Sequence, residues 1–418
     1  MRRVIATIAA VSALVCVTSA QDFKARAIAL HKQTPLIDGH NDYPWALRDI
    51  DPGRDLSKAD IAEPVPKLMT DIPRLRAGHV GAQFWSVWIP VETKGPAAVR
   101  TALEQIDVTK ALVARYPQAL EMAGTAADIR RIHKSGKVAS LIGVEGGHML
   151  DDSLAMLRQY YDLGVRYLTL THTKNTAWAD SATDAPTHKG LTAFGKEVVR
   201  EMNRLGMLVD LSHVSPGTMS DALDVTEAPV IFSHSGSREL VDHKRNIPDS
   251  ILARLPKNGG VVMVPFVTSF VSKEVKAWGD AQGQAQEEAR RRLGTDTAAV
   301  RRAVDDWNKA NPQPKATLAQ VADHIEHVRK IAGVDHVGIG SDFDGITDLV
   351  VGLEDVSKFP DLFAELSRRG WTDTDLRKLA GDNVLRALKQ AEAVSARLKK
   401  QRPPSTKTIQ QMDGKVAQ

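Results

Sequence analysis

Cysteine is almost absent from this chain. The one cysteine among its 418 residues, Cys16, lies in a leading segment that we expect to be cleaved off. The remaining chain then has no disulfides and no thiolate ligands, so nitrogen and oxygen atoms must hold any bound metal. An exported protein without disulfides is more typical of a bacterial periplasm or medium than of an animal cell surface.

Motifs for binding phosphate or nucleic acid are also absent. The sequence has no G-x-G-x-x-G after its first predicted strand, no P-loop, and no basic patch interleaved with aromatic residues. The net charge of +4 comes from Arg2, Arg3 and a basic tail that begins at Arg397, while the body between them is mildly acidic. These features argue against a doubly wound nucleotide-binding sheet and against a nucleic-acid partner.

Residues 1–20 have the pattern of a secretory signal peptide. Arg2 and Arg3 precede an apolar run from Val4 to Val17, and small residues follow it as a cleavage site. The run is too short for a spanning helix with proper flanks. We therefore expect an exported protein, periplasmic or secreted; a retained N-terminal anchor is the alternative.

The chain after residue 400 is polar and basic. Residues 401–418 carry no hydrophobic anchor signal, so we expect no stable membrane insertion. Their composition predicts a disordered tail.

Eight short apolar segments alternate with helical patterns over residues 21–400. The predicted strands are Pro35–Ile37, Val80–Ile89, Val138–Val144, Tyr167–Leu170, Met207–Leu211, Pro229–Phe232, Gly260–Val264 and His336–Ile339. This alternation predicts one α/β domain, a parallel (β/α)8 barrel of the TIM-like kind.

Two segments do not follow the alternation of strands and helices. Residues 272–314 are rich in charged residues, Ala and Gln, and predict a helical excursion. Both a solvated helical hairpin and a lid or partner contact fit this composition. Residues Thr374–Leu398 predict a long C-terminal helix, capped by Thr372 and packed against the barrel.

Polar residues with metal-ligating side chains stand at the ends of the predicted strands. They are His40, Glu145, His172, His213, His234 and Asp342. The C-terminal rim of a (β/α)8 barrel is where its enzymes keep their chemistry. Six such placements therefore predict one site at that rim.

This set of side chains could hold two metal ions. His40 and Asp42 are two positions apart at the end of a predicted strand, so their side chains would point to the same face. A bridging carboxylate between two cations is needed, and Glu145 is the natural candidate, with His213 and His234 for the second ion. A water between the ions loses its proton near neutral pH and becomes a nucleophile. Each residue alone is compatible with a capping or core histidine or a salt-bridged glutamate, but the joint pattern favours a metal site.

Several multi-residue blocks then point to a known family. They are Asp38–Asp42 (DGHND), Gly143–Gly146 (GVEG), Leu168–His172 (LTLTH) with Asn175 and Trp178–Asp180, Asp210–Ser215 (DLSHVS), Phe232–Ser235 (FSHS), Arg245-Asn246, Gly340–Gly345 (GSDFDG) and Gly352–Asp355 (GLED) with Phe359-Pro360. In this order, from about His31 to Leu388, the chain resembles the membrane dipeptidase (renal dipeptidase) family of zinc peptidases, as an exported bacterial-type member. The resemblance implies a (β/α)8 barrel with two Zn²⁺ ions, a dipeptide substrate and a homodimer.

The resemblance also implies roles for individual residues. The implied metal ligands are His40 and Asp42 for one zinc ion, His213 and His234 for the other, and Glu145 as the catalytic bridge. His172 resembles the catalytic histidine that binds substrate and polarises the tetrahedral intermediate. Arg245 resembles the arginine that pairs with the substrate carboxylate, and Asp342 the acidic residue that contacts the amine and carries protons to the leaving nitrogen.

Three functions stay open from the sequence. The first is hydrolysis of free dipeptides by metal-bound hydroxide, including dipeptides with a C-terminal D-residue. The second is a related metal-dependent amidohydrolase acting on another small amide, ester or lactam, which would not require the carboxylate recognition implied for Arg245. The third is a non-catalytic metal-binding protein, which would have no need of His172 and Asp342. The animal members carry disulfides and a lipid anchor, and neither has a counterpart here.

Overall fold

The computed structural model describes residues 22–414. The predicted signal peptide, residues 1–20, lies outside this range. The strands are β1 (Leu36–Asn41), β2 (Val80–Val87), β3 (Leu120–Met122), β4 (Val138–Glu145), β5 (Val165–Thr169), β6 (Leu208–Asp210), β7 (Ile231–Phe232), β8 (Val261–Val264) and β9 (Val337–Ile339).

The strands form a closed parallel barrel. Their order is β2-β1-β9-β8-β7-β6-β5-β4, and β4 pairs back onto β2. All eight predicted strands are present, so the predicted (β/α)8 barrel is confirmed. The short strand β3 was not predicted; it pairs with the first half of β4 and lies outside the closed ring.

Helices surround the barrel. They are α1 (22–31), α2 (Tyr43–Ile50), α3 (Ile72–Ala77), α4 (Pro96–Arg115), α5 (Ala126–Lys134), α6 (Leu154–Asp162), α7 (Ala193–Leu205), α8 (Pro216–Val225), α9 (Asp249–Leu252), α10 (Leu255–Asn258), α11 (Thr268–Val271), α12 (Lys273–Leu293), α13 (Thr297–Ala310), α14 (Leu318–Ala332), α15 (Phe359–Arg368), α16 (Asp373–Arg377), α17 (Asn383–Gln401) and α18 (Ile409–Asp413). None of the helices within the described range is long and apolar enough to cross a bilayer.

Local sequence sets the helix ends. The side chains of Thr125, Ser153, Thr192, Ser215 and Ser272 each accept a hydrogen bond from a backbone N–H in the first turn of the helix that follows. Gly206 ends α7 with a φ of 89°, a conformation that glycine adopts without strain, as its sequence position predicts.

Both faces of the barrel strands are buried. Along β4, Val138, Ile142 and Val144 pack in one apolar cluster and Ala139 and Leu141 in another. Alternate residues of a strand point to opposite faces. The continuous apolar runs in the sequence therefore follow from a parallel sheet covered on both sides.

Asp38 holds the first and last strands together. β1 and β9 pair at a single position, Asp38 with Ile339. The fully buried Asp38 carboxylate accepts hydrogen bonds from the backbone N–H and hydroxyl of Ser341, both 2.7 Å long, and from Gln83 at 3.0 Å. This polar cluster therefore reinforces the barrel between two strands whose backbone ladder has a single pairing.

Several helices differ from the prediction. The helical pattern of the sequence from Ile247 to Leu255 forms two short helices, α9 and α10, because Pro248 and Pro256 each favour a new helix start. The predicted C-terminal helix begins at its Thr372 cap but is interrupted by a π-helical turn, Lys378–Asp382, between α16 and α17. The excursion 272–314 is helical as predicted, and consists of the antiparallel helices α12 and α13.

The prediction of a disordered tail is wrong for residues 402–414. Ile409, on α18, is 2% exposed and joins the main apolar cluster. Asp413 accepts hydrogen bonds from the Thr192 hydroxyl, 2.5 Å, and the Phe194 N–H, 3.1 Å, at the start of α7. Composition alone did not reveal this docking, because its partners lie more than two hundred residues away in sequence.

The Asp413 contact predicts a measurable contribution to stability. Replacing Asp413 by Ala leaves donors at the N-terminus of α7 without their acceptor and should lower the free energy of unfolding by about 1–2 kcal/mol. Urea unfolding of Asp413→Ala measures this, with Asp306→Ala, whose side chain is 75% exposed, as the matched control. Equal unfolding midpoints for the two variants would contradict tail docking.

Candidate active site

The first group of predicted ligands gathers around the end of β1. His40 is in β1 and Asp42 follows it as the N-cap position of α2, while Glu145 is the last residue of β4. His40 Nε2 lies 3.2 Å from Asp42 Oδ2 and 3.5 Å from Glu145 Oε2. One nitrogen and two carboxylates thus converge within reach of a single cation.

The second group lies on the other side of Glu145. His213 and His234 are in the loops that follow β6 and β7. Their Nε2 atoms are 3.0 Å apart, and they lie 2.8 and 3.3 Å from Glu145 Oε1. The two oxygens of one carboxylate therefore face two different donor groups.

Hydroxyl groups orient two of the histidine rings. The Tyr167 hydroxyl donates to the Gly39 carbonyl, 3.3 Å, and lies 2.8 Å from His40 Nδ1. The Ser233 hydroxyl donates to Asp210, 2.6 Å, and lies 2.8 Å from His234 Nδ1. In both cases the ring proton belongs on Nδ1, which directs the Nε2 lone pair toward Glu145.

The histidines of the second group are in the protonation state of ligands. Burial, together with the charge of Arg245, lowers the pKa of His213 and of His234 far below its ordinary value. Both rings are therefore neutral near pH 7, which is the form that coordinates a metal.

Two carboxyl groups of the site, those of Glu145 and Asp342, have raised pKa values. Burial raises the pKa of Glu145, and burial with the nearby charge of Asp42 raises the pKa of Asp342. Carboxylates crowded together and removed from water are costly unless positive charge compensates them. Neutral imidazoles with buried carboxylates are a donor set that fits divalent cations such as zinc, and His40 Nε2 has no hydrogen-bond partner of its own.

Two of the predicted residues have a strained backbone. His213 and Asp342 both have a φ of 66°, in the left-handed region that non-glycine residues seldom adopt. The Ala182 N–H donates to the His213 carbonyl, 2.7 Å, and the Asp342 N–H donates to the His40 carbonyl, 3.1 Å. Such strain costs about 1–3 kcal/mol per residue and is typical of functional sites.

His172 and Arg245 border the same space. Trp88 Nε1 donates to His172 Nε2, 3.1 Å, and the His172 ring packs on His213 with centroids 4.1 Å apart. The guanidinium of Arg245 donates to the Ser235 hydroxyl and the His234 carbonyl and lies 5.4 Å from the Phe270 ring centroid. Burial lowers the pKa of Arg245 to about 10, so it keeps its charge at neutral pH.

A cavity of about 530 Å³ opens onto these groups, and we call it the catalytic cavity. Of the eight predicted site residues, its lining contains Asp42, Glu145, His172, His213, His234, Arg245 and Asp342. His40 is fully buried next to these residues, with its Nδ1 in contact with the Tyr167 hydroxyl. Trp45, Trp88 and Phe270 add aromatic walls. All eight residues are thus brought together at the C-terminal rim, in a cavity of small-ligand size.

A comparison with known families identifies the family of this chain. The family model for membrane dipeptidases, peptidase family M19, matches residues 24–402. The chain belongs to this family. It is a metallo-dipeptidase, a hydrolase with dipeptides as its class of substrate, and the resemblance seen in the sequence motifs is confirmed.

Solved structures of similar proteins cover nearly the same range. The probable dipeptidase PvdM from Pseudomonas aeruginosa is 25% identical, with a TM-score of 0.77 over 90% of this chain and 99% of that one. The dipeptidase AC, a family M19 metallopeptidase, is 24% identical, with a TM-score of 0.70 over 86% and 98%. A metallopeptidase from Rhodobacter sphaeroides, in complex with a phosphinate mimic of the dipeptide L-Ala-D-Ala, is 23% identical, with a TM-score of 0.69 over 86% and 99%. The last two likenesses establish the shared fold.

Sequence reasoning missed the residues that support the dipeptidase site. Tyr167, Trp88 and Ser233 orient histidines, and Asp210 anchors Ser233. Tyr167 can reach His40 because Gly143 beside it has no side chain, and a Cβ there would clash with the tyrosine ring. A polar residue inside an apolar strand, such as Tyr167 or Asp210, was the available signal.

The Tyr167 contact generates a prediction about metal binding. Tyr167→Phe removes the group that fixes the His40 tautomer and should weaken metal affinity about 10–100-fold. Competition with a chelator measures the metal dissociation constant. Tyr160→Phe, which removes a buried hydroxyl bonded to the Met149 carbonyl, is the matched control and should bind metal like the parent protein. Equal affinities for both variants would contradict the orienting role.

Proposed function

We propose that this protein is a binuclear zinc dipeptidase that hydrolyses free dipeptides, including those with a C-terminal D-residue. The observation that carries the proposal is the pair of donor groups that share Glu145. His40 and Asp42 would hold one zinc ion with Glu145, and His213 and His234 would hold the second. Zinc bound there would activate water for attack on the amide carbon and would polarise the carbonyl.

Arg245 would bind the carboxylate of the substrate. Its side chain is 4% exposed, keeps its charge, and is held by Ser235, the His234 carbonyl and the Phe270 ring. A planar guanidinium can form two parallel hydrogen bonds with a carboxylate. A buried arginine that opens into the catalytic cavity therefore supports a substrate with a free carboxylate close to the scissile bond.

Asp342 and His172 would act on the two sides of the scissile bond. Asp342 would contact the substrate amine and transfer a proton to the leaving nitrogen. Its Oδ1 lies 3.9 Å from His40 Nε2. His172, with its ring fixed by Trp88 and by stacking on His213, would bind the carbonyl oxygen that gains negative charge. This arrangement supports a short substrate, because both ends of the dipeptide meet charged groups.

The tolerance for a D-residue rests on a relative. The Rhodobacter sphaeroides metallopeptidase was solved with a mimic of L-Ala-D-Ala. The catalytic cavity here lies in a barrel of the same fold. A dipeptide with a D-residue at its carboxyl end is therefore the substrate that tests this tolerance.

The test compares three substrates on purified protein before chelation, after chelation and after zinc is restored. We expect zinc-dependent cleavage of L-Ala-D-Ala, and loss of at least about a hundredfold in kcat/KM for its N-acetyl and C-amide derivatives, because each leaves a buried charge unpaired. Released amino acids are the readout. Equal or better cleavage of the acylated form would favour the broader amidohydrolase.

A variant of Arg245 provides the internal control. Arg245→Leu should reduce kcat/KM for the free dipeptide strongly and leave the C-amide derivative almost unaffected, since that substrate has no carboxylate to bind. A variant that loses the two activities in parallel would contradict carboxylate recognition by Arg245.

A further inference from the structure

A second cavity lies beside the catalytic cavity, under the helical hairpin formed by α12 and α13. It has a volume of about 340 Å³, and we call it the hairpin cavity. Val267, Gly345, Ile346 and Thr347 line both cavities. The hairpin cavity is therefore a side compartment that adjoins the catalytic cavity along these four residues.

The outer wall of the hairpin cavity is fixed in place. Helix α12 contributes Val275, Trp278 and Gly279. Trp278 Nε1 donates to the Asn311 carbonyl, 2.8 Å, and its ring packs on Trp307 with centroids 5.8 Å apart. Because these contacts fix the position of Trp278, the hairpin cavity can discriminate between side chains by their shape.

The base of the hairpin is tied to the loop that follows β9. Gln313 Nε2 donates to Asp348 Oδ2, 3.1 Å, and both residues line the hairpin cavity. The loop from Gly345 to Asp348 begins directly after the Asp342 segment. The hairpin is therefore connected to the part of the rim that carries Asp342.

Part of the lining of the hairpin cavity suits an apolar side chain, beside the polar residues Thr268, Ser269, Gln313, Thr347 and Asp348. The apolar residues that face the hairpin cavity are Val267, Val275, Trp278 and Ile346. Elsewhere on α12, the only buried residue among those described is Ala289. Trp278 is half-buried, which leaves part of an indole face in contact with solvent. A large apolar or aromatic side chain would cover that face and gain the burial.

The position of the hairpin cavity selects one end of the substrate. A Cβ built on Gly345 would lie 3.0 Å from Asp342 Oδ1, so the shared wall stands next to the group proposed to contact the amine. Arg245, on the loop after β7, lines the catalytic cavity but not the hairpin cavity. Resting on the proposed function, we infer that the hairpin cavity receives the side chain of the amino-terminal residue and favours a large apolar or aromatic one.

Two glycines of α12 provide a matched test. A Cβ on Gly279 or on Gly283 meets no atom within 4 Å, so both positions accept a larger residue. Only Gly279 lines the hairpin cavity. Gly279→Leu fills the compartment, while Gly283→Leu makes the same change one turn further along the same helix.

The measurement is the ratio of kcat/KM for Phe-Ala to that for Ala-Ala. The ratio of kcat/KM for Ala-Phe to that for Ala-Ala serves as the comparison for the carboxyl-terminal residue. Gly279→Leu should lower the Phe-Ala ratio about tenfold, and Gly283→Leu should leave it unchanged. Equal ratios for the two variants, or an equal fall for Ala-Phe, would overturn the assignment. Parent protein that cleaves none of the three dipeptides would instead overturn the proposed function and the compartment with it.

Removal of the aromatic wall gives a second measurement. Trp278→Ala should also lower the Phe-Ala ratio several-fold. Gln282→Ala is the control: it removes the hydrogen bond to Asn308 between the two hairpin helices, 2.8 Å, without touching the hairpin cavity, and should leave the ratio unchanged. If Trp278→Ala keeps the parent ratio but changes the molar mass in solution, the hairpin is a subunit contact and the inference is wrong.

Discussion

The carboxylate of Glu145 is the constraint on which the site depends. It is 4% exposed and is shared between two groups of candidate ligands, each with at least one imidazole facing it. Burial alone disfavours its charge, and the adjacent Asp42 adds repulsion. Positive charge on both sides of Glu145 would stabilise its ionised form, which is the physical argument for the proposed pair of cations.

The surrounding barrel serves this arrangement. Hydroxyl groups of Tyr167 and Ser233 fix the tautomers of two ligands, so that lone pairs meet Glu145. Asp38 joins β1 to the segment that leads to Asp342 and thereby sets the distance between His40 and Asp342, the first and last of the predicted site residues along the chain. The same structure that closes the barrel thus positions the chemistry at its rim.

The barrel and the site residues were predictable from the sequence because parallel strands bring their C-terminal ends to one rim. His40, Glu145 and His234 needed only that rule, whereas Arg245 needed the family resemblance, since it lies in a loop with no periodic pattern. The contact of Tyr167 with His40 was not predictable, because it depends on space left by Gly143 on a neighbouring strand. The docked tail escaped prediction for a similar reason: the contact of Asp413 with α7 depends on the folded position of a distant helix.

The most direct test of the account is the location of zinc. Crystals of zinc-loaded protein should give two anomalous peaks at the zinc absorption edge, one on each side of the Glu145 carboxylate and roughly 3.5–4 Å apart. Glu145→Gln, which has nearly the same shape and no charge, should lose at least one of them. A single peak in the parent protein, or two peaks that persist unchanged in Glu145→Gln, would contradict the bridging role.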